Sequence, residues 1–547
     1  MIDRLVLVPA PRRIVPERGA LALTKRGTLP KTAGPEVRLG LTPGVAAEGY
    51  RLVVTPDRVL IEAVDPAGVF YARATLGQIV RASEGQGEIP AMTIEDGPDF
   101  AERGVMLDVS RDKVPTMATL KDAIDLLASL KINRLQLYVE HTFAYPEHPR
   151  VWRDASPLTG AEIETLDGYA RERFVELVPN QNSFGHMERW LRLPEYAPLA
   201  EVVEPVGDYM SLCPVDPGSL DLLEGLYDAY LPHFTSGSFN VGCDETIDLG
   251  KGRSAAAVAE RGVGRVYLEF LLEIHRLVRE RGRRMQFWGD IVLEHPELIR
   301  QLPEDATALN WGYEADHPFA AEGERFAEAG LAYHVCPGTS TWLSLAGRTT
   351  NAMRNLEAAA RAGRANGAAM AWGSTANEVL DVTRALDLHV FRDDASVLGT
   401  LARDLGDVHL ETGVTPKNAS VLALLLLFPD RPLEGRLGGL TVDALERTLA
   451  STERILRPLA QARPLRGDGK LVVREMQLAA DMVRLACRVG IARLETPGGA
   501  FRAISGAIRQ TLTADLDDLM RSYRRVWLER NRPGGLADSV SRWEQLK

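Results

Sequence analysis

Between Arg103 and about Leu386, eight short β-branched or apolar runs alternate with longer helical patterns, a rhythm that few folds accept. The runs are Val105–Val109, Arg134–Val139, Phe174–Pro179, Ser238–Gly242, Met285–Trp288, Thr307–Trp311, Ala332–Cys336 and Ala368–Trp372. Eight such units predict an α/β chain built on a (β/α)8 TIM barrel. Chemistry in that fold sits at the C-terminal strand ends, which singles out Asp108, Glu140, His186, Asp244, Glu245, Asp290, Tyr313 and Trp372.

The chain has 547 residues, more than a barrel of about 250 needs, so further domains are expected. Residues 1–98 carry short β-like runs at Leu5–Val8, Leu52–Val54 and Val59–Ala63, then a helical pattern from Val69 to Val80. This predicts a small N-terminal α/β domain, closed by the turn cluster Asp96-Gly-Pro-Asp99. The barrel then occupies 99–391. Residues 392–547 read as a helical C-terminal domain, with apolar spacing of three and four over Leu440–Leu456, Val472–Val489 and Ala500–Leu528. Its expected role is packing, against the barrel or, in a homodimer, against a second subunit.

Charge and cysteine content exclude several classes. Lys and Arg number 64 against 75 Asp and Glu, a net charge of −11 with no basic patch, so neither nucleic acid nor an anionic membrane is an expected partner. The longest apolar run, Val421 to Phe428, is far below the ~20 residues that span a bilayer. The first ten residues lack a signal-peptide pattern, and the expected location is cytoplasmic. Cys213, Cys243, Cys336 and Cys487 show no close spacing, which argues against a disulfide framework or a zinc cluster.

The fourth run, Ser238-Phe-Asn-Val-Gly-Cys-Asp-Glu-Thr246, delivers two adjacent carboxylates, Asp244 and Glu245, to a strand end. Glycoside hydrolysis needs an acid for the leaving oxygen and an electron-rich group for the cation that develops at the anomeric carbon. Most glycosidases take the two carboxylates from separate strands, whereas sequence neighbours cannot easily flank one bond from opposite faces. With Gly68–Gln78, Ile94–Arg111 and Arg103-Gly-Val-Met-Leu-Asp-Val-Ser-Arg111, this segment resembles the family 20 glycoside hydrolases, the β-N-acetylhexosaminidases.

The resemblance implies a retaining exo-enzyme, without cofactor or metal, that removes terminal N-acetylglucosamine or N-acetylgalactosamine from a carbohydrate substrate. In that family the substrate's own acetamido oxygen is the nucleophile. It further implies that Glu245 is general acid and then base, and that Asp244 orients the acetamido group as the oxazolinium forms. Arg103 matches the first-strand arginine that holds the sugar hydroxyls. His186, in Asn182-Ser-Phe-Gly-His186, resembles the histidine that supports the acid, with Phe184 standing where the family has proline. Trp288, Trp311 and Trp372 match the aromatic walls, and Asp290 a charged residue near the acid's support network. Tyr313 could bind the acetamido carbonyl, although the family takes that tyrosine from the region after strand seven, where this chain has Trp342.

Two strands depart from the family pattern. The second ends Leu137-Tyr-Val-Glu-His-Thr-Phe-Ala-Tyr145, leaving Glu140 or His141 to replace an aspartate. The eighth continues Trp372-Gly-Ser-Thr-Ala-Asn-Glu378, leaving Asn377 or Glu378 to replace a glutamate, so sugar preference stays open. The competing readings are another substrate-assisted barrel hydrolase, a conventional retaining glycosidase using Glu140, and a sugar-binding barrel without turnover. The end of strand seven, His334-Val-Cys-Pro-Gly-Thr-Ser-Thr341, offers no carboxylate nucleophile. A metal hydrolase built on His141, His148 and His186 lacks the His-x-His that would end strand one.

Overall fold

The computed structural model describes residues 5–40, 46–205, 210–372 and 381–547, with the backbone alone at 371–372. The first body is a five-stranded sheet of β1 (Arg13–Ala22), β2 (Glu36–Leu39), β3 (Tyr50–Val54), β4 (Val59–Ala63) and β5 (Glu88–Asp96), in the order β1-β5-β3-β4-β2. The helix Pro66–Ser83 starts at a capping Asp65 and presses Tyr71, Ala72, Leu76 and Ile79 onto Leu52, Ile61 and Ile94. Leu5–Val8 is not a strand, contrary to expectation. The Gln78 amide takes the Val8 N–H at 2.8 Å and donates to the Val8 carbonyl at 2.7 Å, so the segment's polar groups are satisfied by a side chain instead of a neighbouring strand.

The second body is an eight-stranded sheet in which every pairing is parallel. Its strands are β6 (Glu102–Asp108), β7 (Arg134–Tyr138), β8 (Glu176–Val178), β9 (Ser238–Asn240), β10 (Arg284–Trp288), β11 (Thr307–Gly312), β12 (Ala332–Pro337) and β13 (Met370–Trp372). The order is β8-β7-β6-β13-β12-β11-β10-β9. The two outermost strands also meet, because Asn240 N–H donates to the Pro179 carbonyl and Gln181 N–H to the Asn240 carbonyl, each at 3.0 Å. All eight expected runs therefore carry strands. Helices cover the outside by amphipathic spacing, as in Val263–Glu280, where Val266, Tyr267, Phe270, Leu271, Ile274 and Val278 are buried. Buried amides line part of the inner face instead of aliphatic side chains. Gln136 donates to Gln286 at 2.7 Å and accepts from Asn240 at 3.0 Å, a fully paired ladder that fixes β7, β9 and β10 beneath the carboxylates.

The third body is helical, with Val442–Leu456, Gly469–Leu494 and Gly506–Arg530 packed around the buried Val421–Leu427 helix. It is bolted to the parallel sheet's first two connections. Thr116 N–H donates to the Arg530 carbonyl at 2.9 Å, Arg532 N–H to the Val114 carbonyl at 2.8 Å, and Arg532 pairs with Glu162 at 2.6 Å. Among the described residues no helix is long and apolar enough to cross a membrane.

Candidate active site

The carboxylates stand on a turn that backbone strain and close approach hold in place. After β9 the chain adopts left-handed φ at Gly242 (70°), Cys243 (72°) and Glu245 (49°), and His186 on the facing loop sits at 57°. Non-glycine residues persist in that region only when their surroundings over-determine them, as they do here. Gly242 N–H donates to Asn240 Oδ1 at 2.9 Å, Tyr267 Oη to the Cys243 carbonyl at 2.9 Å, and Glu245 N–H to Asp290 Oδ2 at 3.1 Å. A Cβ on Gly185 would lie 2.2 Å from the Asp244 carbonyl oxygen, so only glycine lets the His186 loop come this close.

That approach brings both carboxylates to one imidazole. His186 Nε2 lies 3.3 Å from Asp244 Oδ2 and 3.3 Å from Glu245 Oε2, while Nδ1 is 3.9 Å from Glu140 Oε1. Burial would lower the imidazole's pKa, but the charge and hydrogen bonds of Asp244 and Glu245 outweigh it and raise the pKa well above its ordinary value. The two carboxylates thus favour the protonated form of the imidazole that lies between them. Asp244 Oδ1, by contrast, is buried with no hydrogen-bond partner among the described residues.

These groups line a cavity of about 620 Å³ with Asp108, Arg111, Tyr138, Trp288, Trp311, Tyr313 and Trp342. Trp288, Leu309, Cys336 and Met370 cluster beneath it as an apolar floor, with Trp311 and Met106 against them. Tyr313 leans on Trp311 with ring centroids 5.0 Å apart, and Trp342 stands 49% exposed at the mouth. Asp290 is held against the Glu245 backbone, whose N–H it accepts. Burial, reinforced by the Asp244 charge, pushes its carboxyl up to about 7. The Trp372 backbone pairs with Gly104 at the end of β13, but its side chain, with Asn377 and Glu378, lies outside the described residues.

Two assignments change on the structure. Arg103 is not at the cavity: it sits at the start of β6, where its guanidinium pairs with Glu48 of the N-terminal body at 2.6 Å and donates to the carbonyls of Phe100, Ala101 and Lys131. Strand direction explains this, because a residue at the N-terminal end of a parallel strand faces the end opposite the chemistry. Arg111 and Lys113 line the cavity instead, both missed as site residues although they follow the β6 end closely. The Arg111 guanidinium binds Asp108 at 2.9 Å and Glu140 at 3.2 Å, and lies 4.5 Å over the Tyr138 ring. At strand two, Glu140 and not His141 joins the network. Glu140 is buried behind Arg111 and accepts from Tyr138 Oη at 3.1 Å; burial pushes its carboxyl up to about 7. Burial holds His141 neutral, its pKa lowered to about 3.

The ligand atoms of His186, Asp244 and Glu245 lie within 4.8 Å of one another, a spacing that a divalent ion could bridge. Coordination requires a neutral imidazole, whereas the two carboxylates favour the protonated one.

A family profile described as "Glycosyl hydrolase family 20, catalytic domain" matches residues 100–383, and "Glycosyl hydrolase family 20, domain 2" matches 9–97. A beta-hexosaminidase of Akkermansia muciniphila is 26% identical over 46% of this chain and 58% of its own length. A beta-N-acetylhexosaminidase of Cellulomonas fimi is 27% identical over 56% of this chain and 62% of its own. The chain thus spans about three fifths of these relatives. A Streptomyces plicatus N-acetyl-beta-hexosaminidase structure superposes with a TM-score of 0.53 at 23% identity, covering 69% of this chain and 86% of that one. The Flavobacterium johnsoniae chitobiase structure gives 0.57 at 15% identity over the full length of both.

Proposed function

Because the chain belongs to glycosyl hydrolase family 20, we propose that it hydrolyses a terminal N-acetylhexosamine from a glycoside, on a closed (β/α)8 barrel and with retention. The observation that carries this reading is the convergence of two neighbouring carboxylates on one imidazole, Asp244 and Glu245 each 3.3 Å from His186 Nε2, beside an aromatic-walled cavity. Such a pair serves one sugar from one side. It therefore suits a reaction in which the nucleophile comes from the sugar itself.

In the proposed sequence Glu245 gives its proton to the glycosidic oxygen as the C1–O bond breaks and the acetamido oxygen bonds to C1. Asp244 accepts the amide N–H and offsets the positive charge of the oxazolinium. The unpartnered Asp244 Oδ1 supports that role, since a buried acceptor without a donor is costly until a ligand supplies one. Glu245, now a carboxylate, takes a proton from water, whose oxygen attacks C1 and opens the ring with net retention. Trp288 and Trp311 offer apolar faces to the sugar, and the buried Trp288 Nε1–H has no partner among the described residues. The conventional route through Glu140 finds less support, because that carboxyl sits behind Arg111 and Tyr138 and does not line the cavity.

The test is turnover of nitrophenyl β-glycosides with and without the 2-acetamido group, by the wild type, Glu245→Gln and Asp244→Asn. Hydrolysis confined to the acetamido substrate, and suppressed in Asp244→Asn, is the expected result. Equal rates on both glycosides would remove substrate assistance.

A further inference from the structure

Two of the loops that supply basic groups to the cavity meet on one buried carboxylate. Asp112 stands between Arg111 and Lys113, both of which line the cavity, whereas Asp112 itself does not. Its backbone is held at a left-handed φ of 71°, and its side chain is only 2% exposed. Arg189 reaches Asp112 Oδ1 at 3.2 Å, and Arg542 reaches Oδ2 at 2.7 Å. Arg189 comes three residues after His186, on the short helix Glu188–Leu191. The loops that follow β6 and β8 thus share one anchor, with Arg111 one residue from it and His186 three residues from its partner.

The other half of that anchor belongs to the helical body. Arg542 lies on its last helix, Leu536–Glu544, and Asp538, one turn earlier, holds the same Arg189 at 3.0 Å. Gly535 precedes this helix with a left-handed φ of 74°, and a Cβ there would lie 2.1 Å from the Asp112 carbonyl oxygen. Helix and loop therefore touch through backbone as well as side chains. Lys113 turns to the same body, its ammonium 5.2 Å from the Trp527 ring and 5.8 Å from the Tyr523 ring. Burial raises the Asp112 pKa, and the charges of Arg542 and Arg189 oppose the rise.

We infer that Arg542 is a positioning residue for the reaction: through Asp112, the last helix of the helical body holds Arg111 and the His186 loop where they serve Asp244 and Glu245. Arg542 does not line the cavity, so it acts at second hand. A left-handed aspartate persists only where its surroundings fix it, and a buried carboxylate that loses a cation must move or take up a proton. Either change shifts Arg111 against Asp108 and Glu140, and Glu140 is 3.9 Å from His186. The inference rests on the hexosaminidase reading above.

The experiment measures kcat and KM on nitrophenyl N-acetyl-β-glucosaminide, well below the melting temperature of each protein, for the wild type, Arg542→Ala, Arg542→Lys, Asp112→Asn, the double variant of Asp112→Asn with Arg542→Ala, and Arg532→Ala. Asparagine tolerates a left-handed φ, so Asp112→Asn removes the charge and keeps the turn. Arg542→Ala is expected to lower kcat by about tenfold with KM nearly unchanged, less than the ~100-fold cost of a 1 Å misplacement, because Arg189 still holds Asp112. Arg542→Lys, which keeps the charge, should recover most of that loss, and Arg542→Ala should cost nothing further once Asp112 is replaced. Arg532→Ala breaks a different bolt of the same body, the pair with Glu162 at 2.6 Å, and should lower the melting temperature while kcat holds. An unchanged kcat in Arg542→Ala, no recovery with lysine, an equal kcat loss in Arg532→Ala, or a full further loss in the double variant overturns the inference and leaves the hexosaminidase reading intact. A wild type that does not hydrolyse the glycoside ends both.

Discussion

Replacing Asp290 by Asn should stabilise the protein at alkaline pH while impairing it as an enzyme. The Asp290 carboxyl is buried against Asp244, which lifts its pKa to about 7 from an ordinary 3.8. A group whose folded pKa is raised contributes stability below its unfolded pKa and loses it as pH climbs through the folded one. The wild type should therefore lose stability between about pH 4 and pH 7, by about 4 kcal/mol. Asparagine carries no charge at any pH, and its Oδ1 can still accept the Glu245 N–H that Asp290 Oδ2 accepts at 3.1 Å. The two proteins should melt together near pH 4, and the variant roughly 8 °C higher at pH 8, at ~2 °C per kcal/mol. Activity should fall most above pH 7, where the wild-type carboxyl carries a charge that the amide lacks. Melting curves at pH 4, 6 and 8 provide the assay. A constant offset across that range, or a variant that melts lower at pH 8, would refute the assignment of a strained buried carboxylate.

Arg103→Ala should cost about 3 kcal/mol in chemical denaturation, because it strands Glu48 at the seam between bodies, yet leave KM within twofold; a raised KM at unchanged stability would restore it to the sugar site. Gly185→Ala should lower kcat by about 100-fold, since its Cβ would displace the Asp244 carbonyl and an error of about 1 Å in catalytic groups is enough for that loss. Dialysis against a chelator should leave turnover unchanged; loss restored by added zinc or manganese would assign His186, Asp244 and Glu245 to an ion instead.

The alternation of patterns made the eight strands legible, since residue type and period state directly where a parallel strand lies. The positions of Asp244, Glu245 and His186 followed from the same rule about strand ends. Arg103 failed because the motif reports which strand an arginine belongs to, whereas the end of the strand it occupies decides what it faces. Arg111 and Glu140 could not be paired from sequence: they come from different strands and meet at 3.2 Å only because β6 and β7 are neighbours in register. Leu5–Val8 misled for a related reason, as four apolar residues can be buried by a side-chain clamp as well as by a sheet.

The charges at the site explain why these pieces occur together. Three basic groups, Arg111, Lys113 and His186, share the site with five carboxyls, those of Asp108, Glu140, Asp244, Glu245 and Asp290. So many acids in a buried space cannot all ionise, and the most enclosed of them, Glu140 and Asp290, are the two pushed up to about 7. An acidic cluster in a low-dielectric pocket is suited to a reaction whose transition state gains positive charge at C1. Arg111 holds Asp108 and Glu140, while His186 lies between Asp244 and Glu245 with its other ring nitrogen 3.9 Å from Glu140, so strand two supplies an acid that joins the arginine following strand one to the histidine beneath the carboxylate pair.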